Sequence, residues 1–307
     1  MKKILITGGG GFIGFNLAKL LTKKHKVTIF DIKNKTSLSK EVLKILKKNK
    51  IIYTSKLNNL PKKNFDYIFH LAATLGVKNV NNQPFDTFLN NTLPLVRLLN
   101  FYKSDTRLIF FSTSEVYSPL IHSKKTNFPI KEDQDLLISS ETINRDAYYL
   151  SKIFCEKILQ IKNKKFLILR PHNIYGPNMG NSHVIPNLIN KLKKTKNKIN
   201  VFSPNHTRAF CYIDDAINQI IKLSFSEKNY GKVFNIGNQN EEIKIYDLAK
   251  KIKKQLNSKA ILVKGKNTDG SPFRRVPSMK KTFKNISYKL KTSLDKGISK
   301  TIDWYVR

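Results

Sequence analysis

The sequence predicts an α/β protein built on a doubly wound parallel sheet. Three observations carry that prediction. Short β-branched and aromatic runs alternate with longer stretches of helical spacing through the first half of the chain. A glycine-rich turn, Thr7-Gly8-Gly9-Gly10-Gly11-Phe12-Ile13-Gly14, joins the first run to the first helical stretch, and Asp31 closes the second run. Alternation of this kind places helices on both faces of a parallel sheet.

The predicted strands are Lys3–Thr7, Val27–Asp31, Ile51–Thr54, Tyr67–Leu71, Arg107–Ser112 and Phe166–Arg170. Between them, Phe12–Lys24, Glu41–Lys48, Phe85–Lys103 and Tyr148–Lys162 repeat apolar residues every three or four positions, the helical period. After Pro171 the pattern changes. Loops rich in Asn, Gly and Pro separate helices at Val184–Lys194, Asp214–Phe225 and Ile245–Leu256, which predicts a smaller C-terminal α/β unit. Leu294–Tyr305 reads as an amphipathic surface helix with Leu294, Ile298, Ile302 and Tyr305 on one face. Asn257–Lys284 reads as a loop closing over a site, because Phe273 and Val276 interrupt its polarity. The expected division is 1–170 as one domain, taking back about 209–238, and 171–307 as a mainly substrate-binding domain.

At 307 residues and 40% hydrophobic content the chain can bury a large core. Its formal charge of +36 invites a nucleic-acid reading, but only 8 of the 57 basic residues are arginine and the lysines run through the whole chain. A binding face concentrates its charge and favours arginine, so the lysines read as a solvated surface with no specific nucleic-acid partner. Cys155 and Cys211 are too few and too scattered for a disulfide framework or a metal site, and read as reduced buried thiols. No apolar run is long enough to span a membrane. Four glycines cut short the Lys2-Lys3-Ile4-Leu5-Ile6 start, which is therefore no secretory signal, and a cytoplasmic protein is expected.

Gly8, Gly11 and Gly14 keep G-x-x-G-x-x-G spacing directly between a strand and a helix. Glycine lets such a turn reach positive φ and lets backbone approach a pyrophosphate, which then rests against the positive end of the helix dipole. Asp31, 17 residues past Gly14, stands where a carboxylate accepts hydrogen bonds from the adenosine ribose hydroxyls. That carboxylate would repel a 2′-phosphate, so NAD is favoured over NADP.

Tyr148 and Lys152 stand four apart on a predicted helix and project from one face. An ammonium beside a phenol lowers the phenol from its usual pKa of about 10 toward a range where tyrosinate acts as a general base. The preceding strand ends in Ser112-Thr113-Ser114-Glu115-Val116-Tyr117, and ligands of open parallel sheets bind at the carboxyl ends of strands. The Thr113 hydroxyl can share the moving proton. Glu115 offers a second acid or base, or only a helix cap.

The stretches TGGGGFIG at 7–14, HLAA at 70–73, STSEVY at 112–117, YYLSK at 148–152, RPHNIYGP at 170–177, TRAFCYIDD at 207–215 and FNIGN at 234–238 cover nearly the whole chain. Together they resemble the extended short-chain dehydrogenase/reductases, and within them the nucleotide-sugar epimerases, dehydratases and decarboxylases. The resemblance implies a Rossmann domain holding NAD through Gly8, Gly11, Phe12, Ile13, Asp31, Leu71, Ala72, Ala73, Tyr148 and Lys152, with Asn91 as a nicotinamide-side contact. It implies a catalytic triad of Thr113, Tyr148 and Lys152, and a nucleotide diphosphate held by Asn173 and Arg208. Proteins of this type are usually dimers, joined through helices that correspond here to Phe85–Lys103 and Tyr148–Lys162.

The shared first step of that family is oxidation of a sugar hydroxyl, usually at C4. Many epimerases have no acid at the place of Glu115, whereas dehydratases and decarboxylases carry a glutamate there. Dehydratases of thymidine-linked glucose pair it with an aspartate, where this chain has Ser114. Arg275-Val276-Pro277-Ser278 resembles the Arg-x-Pro-Ser segment of bacterial decarboxylases, whose arginine lies near the sugar carboxylate; contact with the nucleotide phosphates is the other reading of Arg275. The sequence therefore leans to dehydration or decarboxylation, with 4-epimerisation of a UDP-sugar as the alternative. A non-catalytic NAD sensor or RNA binder is the reading from another class, and the presence of Tyr148, Lys152 and Thr113 stands against it. His172 and His183 receive no role, since a lone histidine is more often a hydrogen-bonded structural residue.

Overall fold

The computed structural model describes residues 1–56, 60, 65–102, 105–162 and 165–306. In chain order the elements are β1 (Lys3–Thr7), α1 (Phe12–Leu21), β2 (Lys26–Phe30), α2 (Lys40–Lys48), β3 (Ile52–Thr54), β4 (Tyr67–His70), α3 (Val77–Asn82), α4 (Pro84–Phe101), β5 (Arg107–Phe111) and α5 (Ser118–His122). There follow α6 (Asp146–Lys162), β6 (Phe166–Pro171), β7 (Ile174–Tyr175), α7 (Val184–Lys194), β8 (Lys198–Val201), β9 (Thr207–Ala209), β10 (Cys211–Tyr212), α8 (Ile213–Ser224) and β11 (Lys232–Ile236). The chain closes with β12 (Glu242–Lys244), α9 (Ile245–Gln255), β13 (Ile261–Lys264), β14 (Arg274–Arg275), α10 (Lys280–Asn285) and α11 (Leu294–Val306). The sequence-predicted helices and strands fall on these within a few residues at each end, though Lys103 and Arg307 lie outside the described residues.

Two compact units divide the chain. The first comprises Met1–Val116, Ser140–Arg170 and Ile221–Val233; the second comprises Tyr117–Ser139, Pro171–Ile220 and Phe234–Arg307. This differs from a single cut at 170 with 209–238 returning. Tyr117–Ser139 belongs to the second unit because Ile130 is bonded there: its N–H donates to the Val276 carbonyl at 2.9 Å and its carbonyl accepts from Ser278 N at 2.7 Å.

The first unit carries a sheet of order β3-β2-β1-β4-β5-β6, with β11 on the far edge, and the pairs from β3 to β6 are all parallel. The strand order reverses between β1 and β4, and at such a switch point the carboxyl ends of the strands open a crevice. Ile4, Leu5 and Ile6 of β1 are fully buried, as a strand covered on both faces requires. Leu95 from α4 and Cys155 and Leu159 from α6 close one core with Leu5, Ile68, Leu108, Phe110, Phe166 and Ile168 from the sheet. Behind α6, Glu156 and Arg170 form a buried two-pronged ion pair, Nε to Oε1 at 2.9 Å and Nη2 to Oε2 at 2.6 Å, which fixes the helix against β6.

The second unit contains a three-stranded sheet of order β12-β9-β14 and two strand pairs, β7 with β10 and β8 with β13. Helices α7, α9 and α11 pack together, and Leu294, Ile298 and Ile302 form the buried stripe of α11. The expected loop at Asn257–Lys284 is corrected here. Ile261-Leu262-Val263-Lys264 is a strand paired in parallel with Lys198–Val201, and Arg274-Arg275 is a second one. Flanking lysines masked the apolar run, and two arginines give no strand pattern at all. Cys155 and Cys211 are both buried and unbridged. Among the described residues no helix is long and apolar enough to cross a membrane, and no cluster of His, Cys, Asp and Glu suits a metal ion.

Candidate active site

Residues named from sequence stand at the carboxyl ends of β1, β2, β4 and β5. Gly8 adopts φ of +70°, and a Cβ there would lie 2.6 Å from the Ala72 nitrogen. A Cβ on Gly14 would lie 2.7 Å from the Gly8 carbonyl oxygen. The turn is therefore pressed between the segment after β4 and the start of α1, and larger residues do not fit. Gly11 caps α1 without a side chain, and the first helical bond is Phe15 N to Gly11 O at 2.9 Å. The N–H groups of Phe12, Ile13 and Gly14 stay outside the helical ladder at the positive end of the helix, which forms an anion seat.

Asp31 is buried at the end of β2. One carboxylate oxygen accepts from Gly10 N at 2.9 Å and the other from Lys33 N at 3.0 Å, so the acid is oriented against the glycine turn with lone pairs left for a ribose. Tyr53, which the sequence reading missed, closes this side: its hydroxyl donates to the Lys33 carbonyl at 2.7 Å. The cradle that only glycine can form, the uncapped helix and the oriented carboxylate fit a dinucleotide.

Leu71 continues β4 through its N–H to the Thr7 carbonyl at 3.0 Å, and Ala72 and Ala73 follow. Asn91 on α4 is fully buried. Its amide oxygen accepts from Thr74 N at 2.6 Å, while its nitrogen donates to the Thr74 carbonyl at 3.4 Å and to Ser151 Oγ at 3.2 Å. Ser151 Oγ in turn donates to the Tyr148 carbonyl at 2.7 Å. Asn91, expected from sequence as a nicotinamide-side contact, thus also ties the loop after β4 to the helix of Tyr148.

Lys152 is 2% exposed, yet its ammonium reaches the end of β5. Nζ donates to the Phe111 carbonyl at 2.9 Å and lies 4.8 Å from the centre of the Phe110 ring. Burial lowers this ammonium to about 8, against the opposing pull of Cys155 and Glu156. Tyr148 sits one turn earlier on α6 and is half-buried. Two residues past Phe111, the Thr113 hydroxyl accepts from Glu115 N at 3.2 Å and so fixes the turn Ser114–Tyr117. Ser114 is buried, and Glu115 pairs with Arg145 at 3.8 Å. Arg145, three residues before Tyr148, was not singled out from sequence, since a lone arginine at a helix start carries no pattern.

His70 was also missed as an individual residue. Its Nδ1 shares a 2.7 Å hydrogen bond with the Thr7 hydroxyl, and its buried Nε2 has no hydrogen-bond partner. Burial, reinforced by the charge of Lys152, pushes it down to about 3, so the imidazole is neutral.

The second unit gathers Asn173, Arg208 and Arg275. Arg208 on β9 and Arg275 on β14 are register partners in a parallel pair, so they share one face of the sheet. Asn173, at φ of +43°, donates to the carbonyl of Ala209 at 3.0 Å and to that of Arg275 at 3.4 Å. The Arg208 guanidinium donates to Ser271 Oγ at 2.8 Å and to the Pro272 carbonyl at 2.7 Å, which holds the turn before β14. His172 is buried and bonded through Nε2 to the Asn235 side chain at 3.0 Å, a structural role.

A strand order that reverses at a glycine cradle, with an acid at the second strand and a buried lysine one turn past a tyrosine, defines a dinucleotide-dependent enzyme. Residues 4–237 match the model of the NAD dependent epimerase/dehydratase family. The chain belongs to that family, and its cofactor is NAD. It is 30% identical to a UDP-N-acetyl-alpha-D-glucosaminuronate decarboxylase of Bacillus cytotoxicus, over 99% of this chain and 98% of that protein. It is 28% identical to UDP-D-apiose/UDP-D-xylose synthase 1 of Arabidopsis thaliana, over 99% and 91%. Among solved structures, a UDP-N-acetylglucosamine 4-epimerase from Methanobrevibacter ruminantium superposes with a TM-score of 0.81 at 25% identity, covering 99% of this chain and 98% of the other.

Proposed function

We propose that the chain oxidises the C4 hydroxyl of a nucleotide-diphosphate sugar to a ketone and then removes carbon dioxide or water from the sugar. The observation that carries this reading is the convergence on the end of β5: Lys152 Nζ on the Phe111 carbonyl, with Thr113 and Glu115 on the turn that follows. The glycine turn and Asp31 would hold NAD, whose nicotinamide would supply reversible hydride chemistry at C4. Tyr148 accepts the proton of the C4 hydroxyl, Lys152 stabilises the resulting phenolate, and Thr113 shares the proton as it moves.

The C4 ketone acidifies C5 and accepts an electron pair released there. With a carboxylate at C6, the C5–C6 bonding pair moves toward the ketone as carbon dioxide leaves, and C5 then takes a proton. With a hydroxyl at C6, the Glu115 carboxylate removes the C5 proton and hands it to the C6 hydroxyl, which departs as water as the C5–C6 double bond forms. The pairing with Arg145 holds the Glu115 carboxylate at the turn after β5. The 30% identical decarboxylase, matched end to end, supports the carbon-dioxide branch.

Arg208, Arg275 and Asn173 are assigned to the nucleotide diphosphate, for which planar guanidinium forks are well shaped. The exposed Phe85 and Leu93 of α4 and Phe154 and Ile161 of α6 support a homodimer through these helices. Two free buried thiols suit the reducing cytoplasm. The test is incubation with uridine, guanosine and thymidine diphosphate sugars, followed by product mass. Loss of carbon dioxide or of water supports the reading; unchanged mass with inverted stereochemistry makes the chain a 4-epimerase instead.

A further inference from the structure

Arg274 and Arg275 adjoin in sequence, and residue type alone does not say which of them meets an anionic ligand. The strand they form is only two residues long, so a slip of one position would exchange their faces. The register of β12, β9 and β14 sorts the neighbours: Thr207 and Arg274 lie on one face with Glu242, while Arg208, Ile243 and Arg275 lie on the other. On the first face Glu242 grips Arg274 through both oxygens, Oε1 to Nε at 2.8 Å and Oε2 to Nη2 at 2.8 Å. The same carboxylate accepts the Thr207 hydroxyl, and the Arg274 guanidinium covers the Phe128 ring at 4.7 Å. A two-pronged ion pair is directional as well as strong, which is what a two-residue strand lacks.

We propose that Glu242 and Arg274 are a positioning pair that sets the register of β14 and thereby keeps Arg275 beside Arg208 for the phosphates of the sugar nucleotide. Arg274 itself stays on the opposite face and does not touch the ligand. This rests on the assignment of the diphosphate to Arg208 and Arg275.

The test is calorimetric titration of the full chain with uridine, guanosine and thymidine diphosphate, with NAD titrated in parallel. Wild type is compared with Glu242→Gln, Arg274→Leu and Arg275→Leu. All three variants are expected to weaken the preferred nucleoside diphosphate roughly tenfold, the scale of one charge-assisted contact, with NAD affinity unchanged. In turnover, KM for the sugar nucleotide rises while kcat holds. If Glu242→Gln binds as tightly as wild type, or tighter, while Arg274→Leu loses binding, Arg274 is a direct ligand and the proposal is wrong. Wild-type affinity in both of these variants overturns it equally. Wild-type protein that binds no nucleoside diphosphate removes the diphosphate site itself, a failure distinct from that of the pair. Should Glu242→Gln not fold, Arg274→Lys keeps the charge, loses the fork and carries the same expectation.

Discussion

The Lys152 ammonium donates to the Phe111 carbonyl at 2.9 Å, so a residue of α6 is held by the last residue of β5. This one bond brings the ammonium to the strand end that carries Thr113 and Glu115.

Its burial sets the first prediction. Lys152 carries its charge up to about 8 in the folded protein and to 10.5 in the unfolded chain, so the charge is lost from the native state as pH rises through 8. The rate of sugar oxidation should fall above that pH as Tyr148 loses its cation, measured as kcat/KM against pH. Below pH 8 the buried charge costs the folded state stability, a cost that disappears between 8 and 10.5. Lys152→Met should therefore abolish oxidation yet raise stability by on the order of 1–3 kcal/mol at neutral pH, read from denaturant melts.

His70 behaves in the opposite pH range. It is neutral in the fold down to about 3 but takes a proton near 6.5 when unfolded, so the unfolded chain binds the extra proton between those values. Stability should decline as pH falls below 6.5, by up to about 1.4 kcal/mol per unit from this group alone. His70→Gln should show a flatter profile across the same window; an equal slope would remove the histidine from the account.

Glu156 and Arg170 are 1% and 4% exposed in their side chains and pair through two bonds. Glu156→Gln removes the carboxylate charge from this buried pair and should cost about 3–5 kcal/mol in denaturant melts. NAD affinity should fall less than stability, because the glycine turn does not rest on this pair.

Gly14→Ala tests the cradle. The added methyl meets the Gly8 carbonyl at 2.7 Å, and backbone cannot yield as a flexible side chain would. NAD binding, followed by calorimetry, should weaken by about a hundredfold or more, the effect of displacing the pyrophosphate-binding turn by a fraction of an ångström.

Most of the first unit was legible in sequence because its signals are local. Strand period, glycine spacing and the acid after β2 each report on backbone that the same few residues determine. Relationships set by register were not legible. The partnership of Arg208 with Arg275 depends on strand pairing across a long sequence separation, and β13 was hidden because lysines border its short apolar run. Asn91 was noticed for its place on a helix, but its work on Thr74 and Ser151 follows from how α4 and α6 pack. Arg145 pairs with Glu115 and Tyr53 bonds the Lys33 carbonyl, and contacts of this kind leave no periodic trace.

The central claim, that Tyr148 and Lys152 serve oxidation of a nucleotide-linked sugar by bound NAD, is tested most directly by single-turnover absorbance of reduced nicotinamide. The NAD-loaded protein is mixed with the sugar nucleotide that it binds best. Wild type should show a transient rise and decay of reduced cofactor, and Tyr148→Phe should slow the rise by about 10²–10⁴-fold while binding NAD and sugar nucleotide as before. A Tyr148→Phe protein that reduces the cofactor at the wild-type rate would contradict the account.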